Sequence, residues 1–266
     1  MKKFEHKKSL GQNFLKNDVI IDRIVSDSDV NNDDVVIEIG SGQGVLTEKL
    51  AQKAKKVIAI ELDNRLIPFL IHRFEKYENV EIVHGDILHM NMPALLAEHG
   101  VSRYCVVANI PYYITAPIIR LFLESTTQPE KIVLMVQKEV AERITATAGE
   151  MSLLAVSAQY YAECTYLFTV PRTEFDPVPD VDSAVIALRV KKHTATSEYA
   201  KQFFRVVKIG FSAKRKTLLN NLANGLQRNK DDIEMVLEKC SFSANVRAQE
   251  LSLDQWKNLE KLLRDE

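Results

Sequence analysis

A parallel α/β sheet followed by a small all-helical domain is the architecture this sequence predicts. Three observations point to it. From residue 34 onwards, short apolar runs alternate with segments of helical periodicity. A glycine-rich turn, Glu38-Ile-Gly40-Ser-Gly42-Gln-Gly44, follows the first apolar run and opens a helical pattern. Beyond a polar, patternless stretch, Lys191 to Thr196, residues 198–266 carry helical patterns only. The expected division is an α/β domain over 1–192 and a helical domain over 198–266.

The elements follow in order. Asp34 to Ile39, Lys56 to Ile60, Val80 to Val83, Tyr104 to Ala108 and Lys131 to Gln137 are short runs rich in Val and Ile, as strands buried on both faces require. Helical patterns over 45–54, 64–76, 93–99 and 116–124 separate the first five strands. Tyr160 to Val170 and Ser183 to Val190 are two further strands with no helical pattern between them, so an antiparallel, hairpin-like end to the sheet is expected. There are no internal repeats and no low-complexity stretches.

Composition bounds the function. With 46% hydrophobic and 27% charged residues, the chain has the make-up of an ordinary globular protein able to bury a core. No apolar run approaches the ~18 residues that span a bilayer. Met1 to Lys8 has no apolar core behind its charges and does not read as a secretory signal, so a cytoplasmic protein is expected. Cys105, Cys164 and Cys240 lie far apart without metal-ligand spacing, and reduced, packed thiols and no metal are expected.

The chemistry gathers at the strand ends, where open α/β sheets bind ligands. The glycines of 40–44 permit a tight turn and close backbone approach. Alone, that turn fits a dinucleotide site nearly as well as any other nucleoside cofactor. Glu61 ends the second strand, where a carboxylate can accept both hydroxyls of a ribose. Asp86, after Gly85, ends the third, where an acid can accept from an adenine amino group; the bland alternative is a turn cap. The fourth strand ends in Asn109-Ile110-Pro111-Tyr112. Those residues suit methylation of an exocyclic amino group on a planar base, a poor nucleophile because its lone pair is delocalised. The Asn109 side-chain oxygen and the Pro111 carbonyl can accept its two hydrogens, and the Tyr112 ring can stack on the base. This series favours S-adenosylmethionine over NAD, because an oxidoreductase leaves 109–112 unused and the third glycine of G-x-G-x-x-G is missing.

At this point the chain resembles the KsgA family of ribosomal RNA adenine N6,N6-dimethyltransferases almost end to end. The resemblance rests on Lys8-Ser-Leu-Gly-Gln-Asn-Phe-Leu15, on Glu38 to Thr47, on Met151 to Leu153 with Ala158 to Tyr161, and on Val170-Pro-Arg-Thr-Glu-Phe175-Asp-Pro-Val-Pro-Asp-Val-Asp-Ser183. Phe211 to Asn220 and Arg247 to Leu251 add the helical domain. It implies a Rossmann-like class I methyltransferase sheet with a C-terminal all-helical domain for RNA or ribosome binding. It implies S-adenosylmethionine contacts at Asn13, Leu15, Gly40, Glu61, Asp86 and Asn109. It implies a catalytic motif at Asn109, Pro111 and Tyr112, with Phe175 as a second aromatic sandwiching a flipped base. The implied substrate is a pair of adjacent adenosines in the 3′-terminal hairpin of small-subunit (16S) rRNA, within an immature 30S particle, acted on by a monomer.

The chain departs from the family's Asn-Leu-Pro-Tyr-Asn at two places. Ile110 also occurs in the Erm enzymes, which methylate large-subunit (23S) rRNA. Tyr113 replaces a small amide, which bears on pocket shape and on a second methylation. The 146–152 stretch is compact, consistent with a shortened target-site loop. Erm-type methylation and a non-catalytic assembly factor on the same fold both stay open.

Net charge is −1, so its distribution matters more than its sum. Lys201 to Asn229 holds Lys201, Arg205, Lys208, Lys214, Arg215, Lys216 and Arg228 without one acidic residue. Lys2, Lys3, Lys7 and Lys8 form a second cluster. Such patches attract RNA phosphates; a charge run by itself is more often a solvated face. The resemblance at 211–220 makes Lys214, Arg215 and Lys216 the candidate RNA contacts.

Overall fold

The computed structural model describes residues 13–191 and 198–265. The Lys2, Lys3, Lys7 and Lys8 cluster and most of the expected linker lie outside the described residues. Contacts divide the chain into two compact units, one of Met1–Ala141 with Glu163–Lys191 and one of Glu142–Ala162 with Lys192–Glu266.

The first unit opens with β1 (Phe14–Leu15) and α1 (Asp18–Asp27). Alternation then runs through β2 (Val35–Ile39), α2 (Val45–Ala51), β3 (Lys56–Glu61), α3 (Ile67–Phe74), β4 (Val80–His84), α4 (Met92–Glu98), β5 (Cys105–Asn109), α5 (Thr115–Leu123) and β6 (Lys131–Gln137). After α6 (Lys138–Ile144) and α7 (Leu153–Tyr161) come β7 (Ala162–Val170), β8 (Phe175–Asp176) and β9 (Ser183–Val190). The seven-stranded sheet has the order β4-β3-β2-β5-β6-β9-β7, and β1 pairs with β8 in a separate two-stranded sheet. β2 pairs in parallel with β3 and β5, β3 with β4, and β5 with β6. β9 runs antiparallel to β6 with Gln137 opposite Ser183. This is the expected Rossmann-like sheet.

Its central strands β2, β3, β5 and β6 are buried on both faces, as a sheet covered by helices on both sides requires. Val36, Ile37, Val57, Ile58, Val106 and Val107 are fully buried. Each such side chain contributes about 1.5–3 kcal/mol by leaving water. The chain moves outward from β2 through β3 to β4, then returns to lay β5 and β6 on the other side. The reversal between β2 and β5 leaves a crevice beyond their C-terminal ends.

Two expectations need correction. The chain over Tyr160–Tyr161 closes α7 instead of opening a strand. Residues 142–162, placed by the sequence in the first domain, belong with the C-terminal helices. Aromatic packing is the reason. Tyr160 stacks on Phe203 with centroids 4.8 Å apart, and Tyr161 on Phe204 at 5.6 Å. The backbone N–H groups of Gly149 and Met151 donate to the Gln249 carbonyl.

The second unit continues with α8 (Glu198–Gly210), α9 (Leu218–Leu226), α10 (Lys230–Lys239) and α11 (Leu253–Asp265). Its core gathers around fully buried Trp256, Phe203, Leu218, Leu222 and Leu237. Gly210 lies against Trp256, and a Cβ there would sit 2.3 Å from the indole ring.

Candidate active site

The crevice at the β2–β5 reversal is lined by Asn13, Phe14 and Leu15, by the 38–43 loop, by Glu61 and Leu62, by Gly85 to Ile87 and by Asn109 to Ile114. Most of the residues that the sequence singled out for cofactor and catalysis therefore meet in one cleft.

The loop after β2 owes its shape to glycine. Gly40, Gly42 and Gly44 all have positive φ, at 72°, 57° and 79°. At two of them space is also closed: a Cβ on Gly42 would lie 2.9 Å from the Phe14 ring and one on Gly44 2.6 Å from Phe74. Glu61, 5% exposed, holds the loop from the next strand. Its Oε2 accepts from the Gly42 N–H at 2.8 Å and its Oε1 from the Asp63 N–H at 2.8 Å. A carboxylate offers about four acceptor positions, so two stay open towards the cleft. Asp63 is itself buried and paired to Arg65 at 2.6 Å. No local sequence signal announces the Gly42–Glu61 tie, since it joins backbone to side chain across two strand ends.

Asp86 lines the cleft and also caps its own turn, its Oδ1 accepting from the Leu88 N–H at 3.0 Å and its Oδ2 lying 2.9 Å from His89 Nδ1. The turn-cap reading thus describes its hydrogen bonds, and its place in the cleft sets it beside the glycine loop and Glu61. Beneath the loop, Glu38 is 1% exposed and accepts from Thr47 Oγ1 at 2.5 Å. Burial pushes its carboxyl up to about 8, against the lowering from the Thr47 bond. Glu38 is the strongly shifted acid among the described residues lining the cleft, and the sequence marks it only as the residue that opens the glycine-rich turn.

Asn109 ends β5. No hydrogen bond engages its side chain among the described residues, which leaves its carbonyl free to accept. Pro111 continues in extended backbone, φ −57° and ψ 135°, and its carbonyl accepts from the Ile114 N–H at 3.2 Å, with one lone pair remaining. Tyr112 is half-buried, and its hydroxyl lies 2.7 Å from Ser183 Oγ. Burial raises the phenol's pKa, partly offset by the Ser183 bond. Tyr113 stands 61% exposed at the cleft mouth.

Phe175 is placed differently from its expected role. It is 1% exposed within the core cluster of Ile21, Ile24, Val107 and Val185, and it does not line the cleft. Pairing between β1 and β8 sets it opposite Leu15, and residues facing one another across such a pair share a face. Tyr112 is the aromatic of the expected sandwich that reaches the cleft.

In the second unit, Lys214, Arg215 and Lys216 are exposed in the loop between α8 and α9. Buried Asn221 secures that loop by donating from Nδ2 to the carbonyls of Gly210, at 2.6 Å, and Ala213, at 3.1 Å. Thr217 caps α9 by accepting from the Asn220 N–H.

The donor set fits S-adenosylmethionine: an open glycine loop, a carboxylate with free acceptor positions, apolar Leu62 and Ile87 beside the two acids, and an unengaged amide. Among the described residues no group of three or more His, Cys, Asp or Glu is placed to hold a metal ion.

Comparison with known proteins settles the family. The model for ribosomal RNA adenine dimethylases matches residues 3–265. The chain belongs to the ribosomal RNA adenine dimethylase family. As a member of it, the protein is an S-adenosylmethionine-dependent RNA adenine methyltransferase. It is similar to ribosomal RNA small subunit methyltransferase A of Bacillus licheniformis, 43% identical over 98% of this chain and 92% of that protein. The protein of the same name in Dehalococcoides mccartyi is 40% identical over 95% of this chain and 87% of its own length. Among solved structures, a 23S rRNA methyltransferase, ErmE, matches with TM-score 0.78 and 28% identity, covering 95% of this chain and all of that one. A dimethyladenosine transferase from Plasmodium falciparum matches at 0.77 and 30%, covering 92% and 95%. No helix among the described residues is long and apolar enough to cross a membrane.

Proposed function

We propose that this dimethylase acts in the cytoplasm, as a monomer, on two adjacent adenosines in the 3′-terminal hairpin of small-subunit rRNA within an immature 30S particle. The observation that carries the chemistry is the unengaged Asn109 carboxamide, set in one cleft with the glycine loop, Glu61, Asp86 and Tyr112. The small-subunit target is supported by the names of relatives 40–43% identical over nearly the whole chain.

When bound, S-adenosylmethionine supplies an electrophilic methyl group on a sulfonium. The chain's own residues do the rest. Glu61 and Asp86 hold the nucleoside end through their carboxylate oxygens, while Asn13, Leu15 and Gly40 close around it. Adenine N6 is out of reach inside a stacked helix, so the base is flipped into the cleft. Tyr112 stacks on it, an interaction worth about 1–3 kcal/mol. Asn109 Oδ1 and the free lone pair of the Pro111 carbonyl accept the two N6 hydrogens and direct the nitrogen lone pair at the methyl group. Preorganised acceptors and positioning supply the acceleration. Forming the N6–methyl bond would break the sulfonium C–S bond, S-adenosylhomocysteine would leave, and one N6 proton would pass to solvent; the hydrogen that remains lets the same arrangement serve a second transfer. Lys214, Arg215 and Lys216 bind RNA phosphates.

Large-subunit rRNA is the second reading, favoured by the structural likeness to ErmE. Identity over the full length is greater with the small-subunit enzymes. Asn109→Ala tests the catalytic assignment. It should abolish methyl transfer while thermal stability and RNA affinity stay near those of the unsubstituted protein. Turnover within a few-fold of normal would remove Asn109 from the mechanism.

A further inference from the structure

The geometry points to Ser183 as the residue that positions the Tyr112 ring for the target base. The inference rests on the reading of Tyr112 as the stacking surface. Ser183 is fully buried and opens β9, which the antiparallel ladder to β6 fixes from Ser183 to Arg189. Its Oγ is therefore a fixed point of the sheet, and the Tyr112 hydroxyl meets it at 2.7 Å across 71 residues of sequence.

The root of Tyr112 is fixed as well. Its carbonyl accepts from Thr115 Oγ1 at 3.0 Å, and the turn closes through the Ile114 N–H and the Pro111 carbonyl at 3.2 Å. A tyrosine ring turns about two side-chain torsions: anchoring the tip as well as the root fixes the ring's axis, and because a phenolic oxygen hydrogen-bonds close to the plane of its ring, the direction of Ser183 Oγ also biases the turn about that axis. That matters because stacking and the approach of N6 to Asn109 both depend on the plane of this ring. The anchor comes from the end of the 170–183 segment, whose aromatic, Phe175, is itself committed to the core. The segment thus contributes through the hydroxyl at its end instead of through its ring.

Two measurements separate this role from a merely structural one. The first follows 3-fluorotyrosine placed at position 112 by fluorine NMR, without substrate. Ser183→Ala should turn a single sharp resonance into a broadened or split one. An unchanged resonance would overturn the proposal. The second is single-turnover methylation of immature small subunits by Ser183→Ala, Tyr112→Phe and the double variant. Losing one hydrogen bond of this type should slow Ser183→Ala about three- to tenfold. Affinity for S-adenosylhomocysteine should be unchanged, and Ser183→Ala should cause no further loss in the Tyr112→Phe background. An equal loss in that background, or a matching loss of cofactor affinity, would show that Ser183 acts by another route. Absence of methylation by the unsubstituted protein would instead remove the small-subunit reading, and the fluorine spectrum would still decide whether Ser183 holds the ring.

Discussion

Glu61→Ala is expected to loosen the cofactor loop and to cost most of the cofactor affinity. Two effects can be separated from the structure. The carboxylate is 5% exposed and accepts two backbone N–H groups, each at 2.8 Å, from Gly42 and Asp63. Hydrogen bonds to a charged group contribute about 1.5–3 kcal/mol each. Because the vacated space opens on the cleft, water can replace part of this, and a stability loss of about 2–4 kcal/mol is expected. The cofactor loses two further charge-assisted acceptors for its ribose hydroxyls. A loss of about 3 kcal/mol there weakens binding roughly a hundredfold. Glu61→Gln retains one acceptor but turns an amino group towards a backbone N–H, so it should fall between. Isothermal calorimetry with S-adenosylhomocysteine gives the affinity, and thermal denaturation gives the stability. An alanine variant that binds within about threefold of the unsubstituted protein would refute the ribose assignment. A lowered Tm with unchanged affinity would reduce Glu61 to a tie between two strand ends.

Two other perturbations probe the remaining parts of the account. Burial keeps the Glu38 proton in the folded state up to about pH 8, whereas the unfolded chain loses it near 4.5. Its contribution to stability is therefore complete below 4.5 and declines as the pH rises towards 8. Glu38→Gln, neutral at every pH, should flatten the fall in urea midpoint over that interval, and an unchanged slope would mean that Glu38 is ionised in the fold. Replacing Lys214, Arg215 and Lys216 by Glu should weaken RNA binding and lower its salt dependence by about 0.7 of a log–log unit per lost phosphate contact. Cofactor affinity should not change, and an unaltered salt slope would place the RNA surface elsewhere.

The strand ends were legible because each couples a local signal to a general rule. An apolar run bounded by a glycine, an acid or an amide marks both the strand and its C-terminal edge, and that edge is where the cleft lies. Gly40, Glu61, Asp86 and Asn109 came together for that reason. What depended on distant pairing was not legible. β1 and β8 are two residues each and lie far apart in sequence, so nothing local announces that Phe175 faces Leu15 in the core. Pro177 and Pro179 are residues typical of loops, yet the pairing with β1 makes Phe175 a strand residue. No helix is expected over 153–161, because Leu-Leu-Ala-Val-Ser-Ala-Gln-Tyr-Tyr is apolar or small almost all round and shows no helical stripe. The Glu61 tie to Gly42 and the Tyr112–Ser183 bond are likewise matters of tertiary geometry.

The most direct test of the central claim is to map the methyl groups. The protein is incubated with labelled S-adenosylmethionine and either immature small subunits or protein-free large-subunit rRNA, and modified adenines are located by sequencing and mass spectrometry. The account predicts N6,N6-dimethyladenosine at two adjacent positions in the 3′-terminal hairpin of the small-subunit RNA, and none in the large. Label confined to the large-subunit RNA, or absent from both, would contradict it.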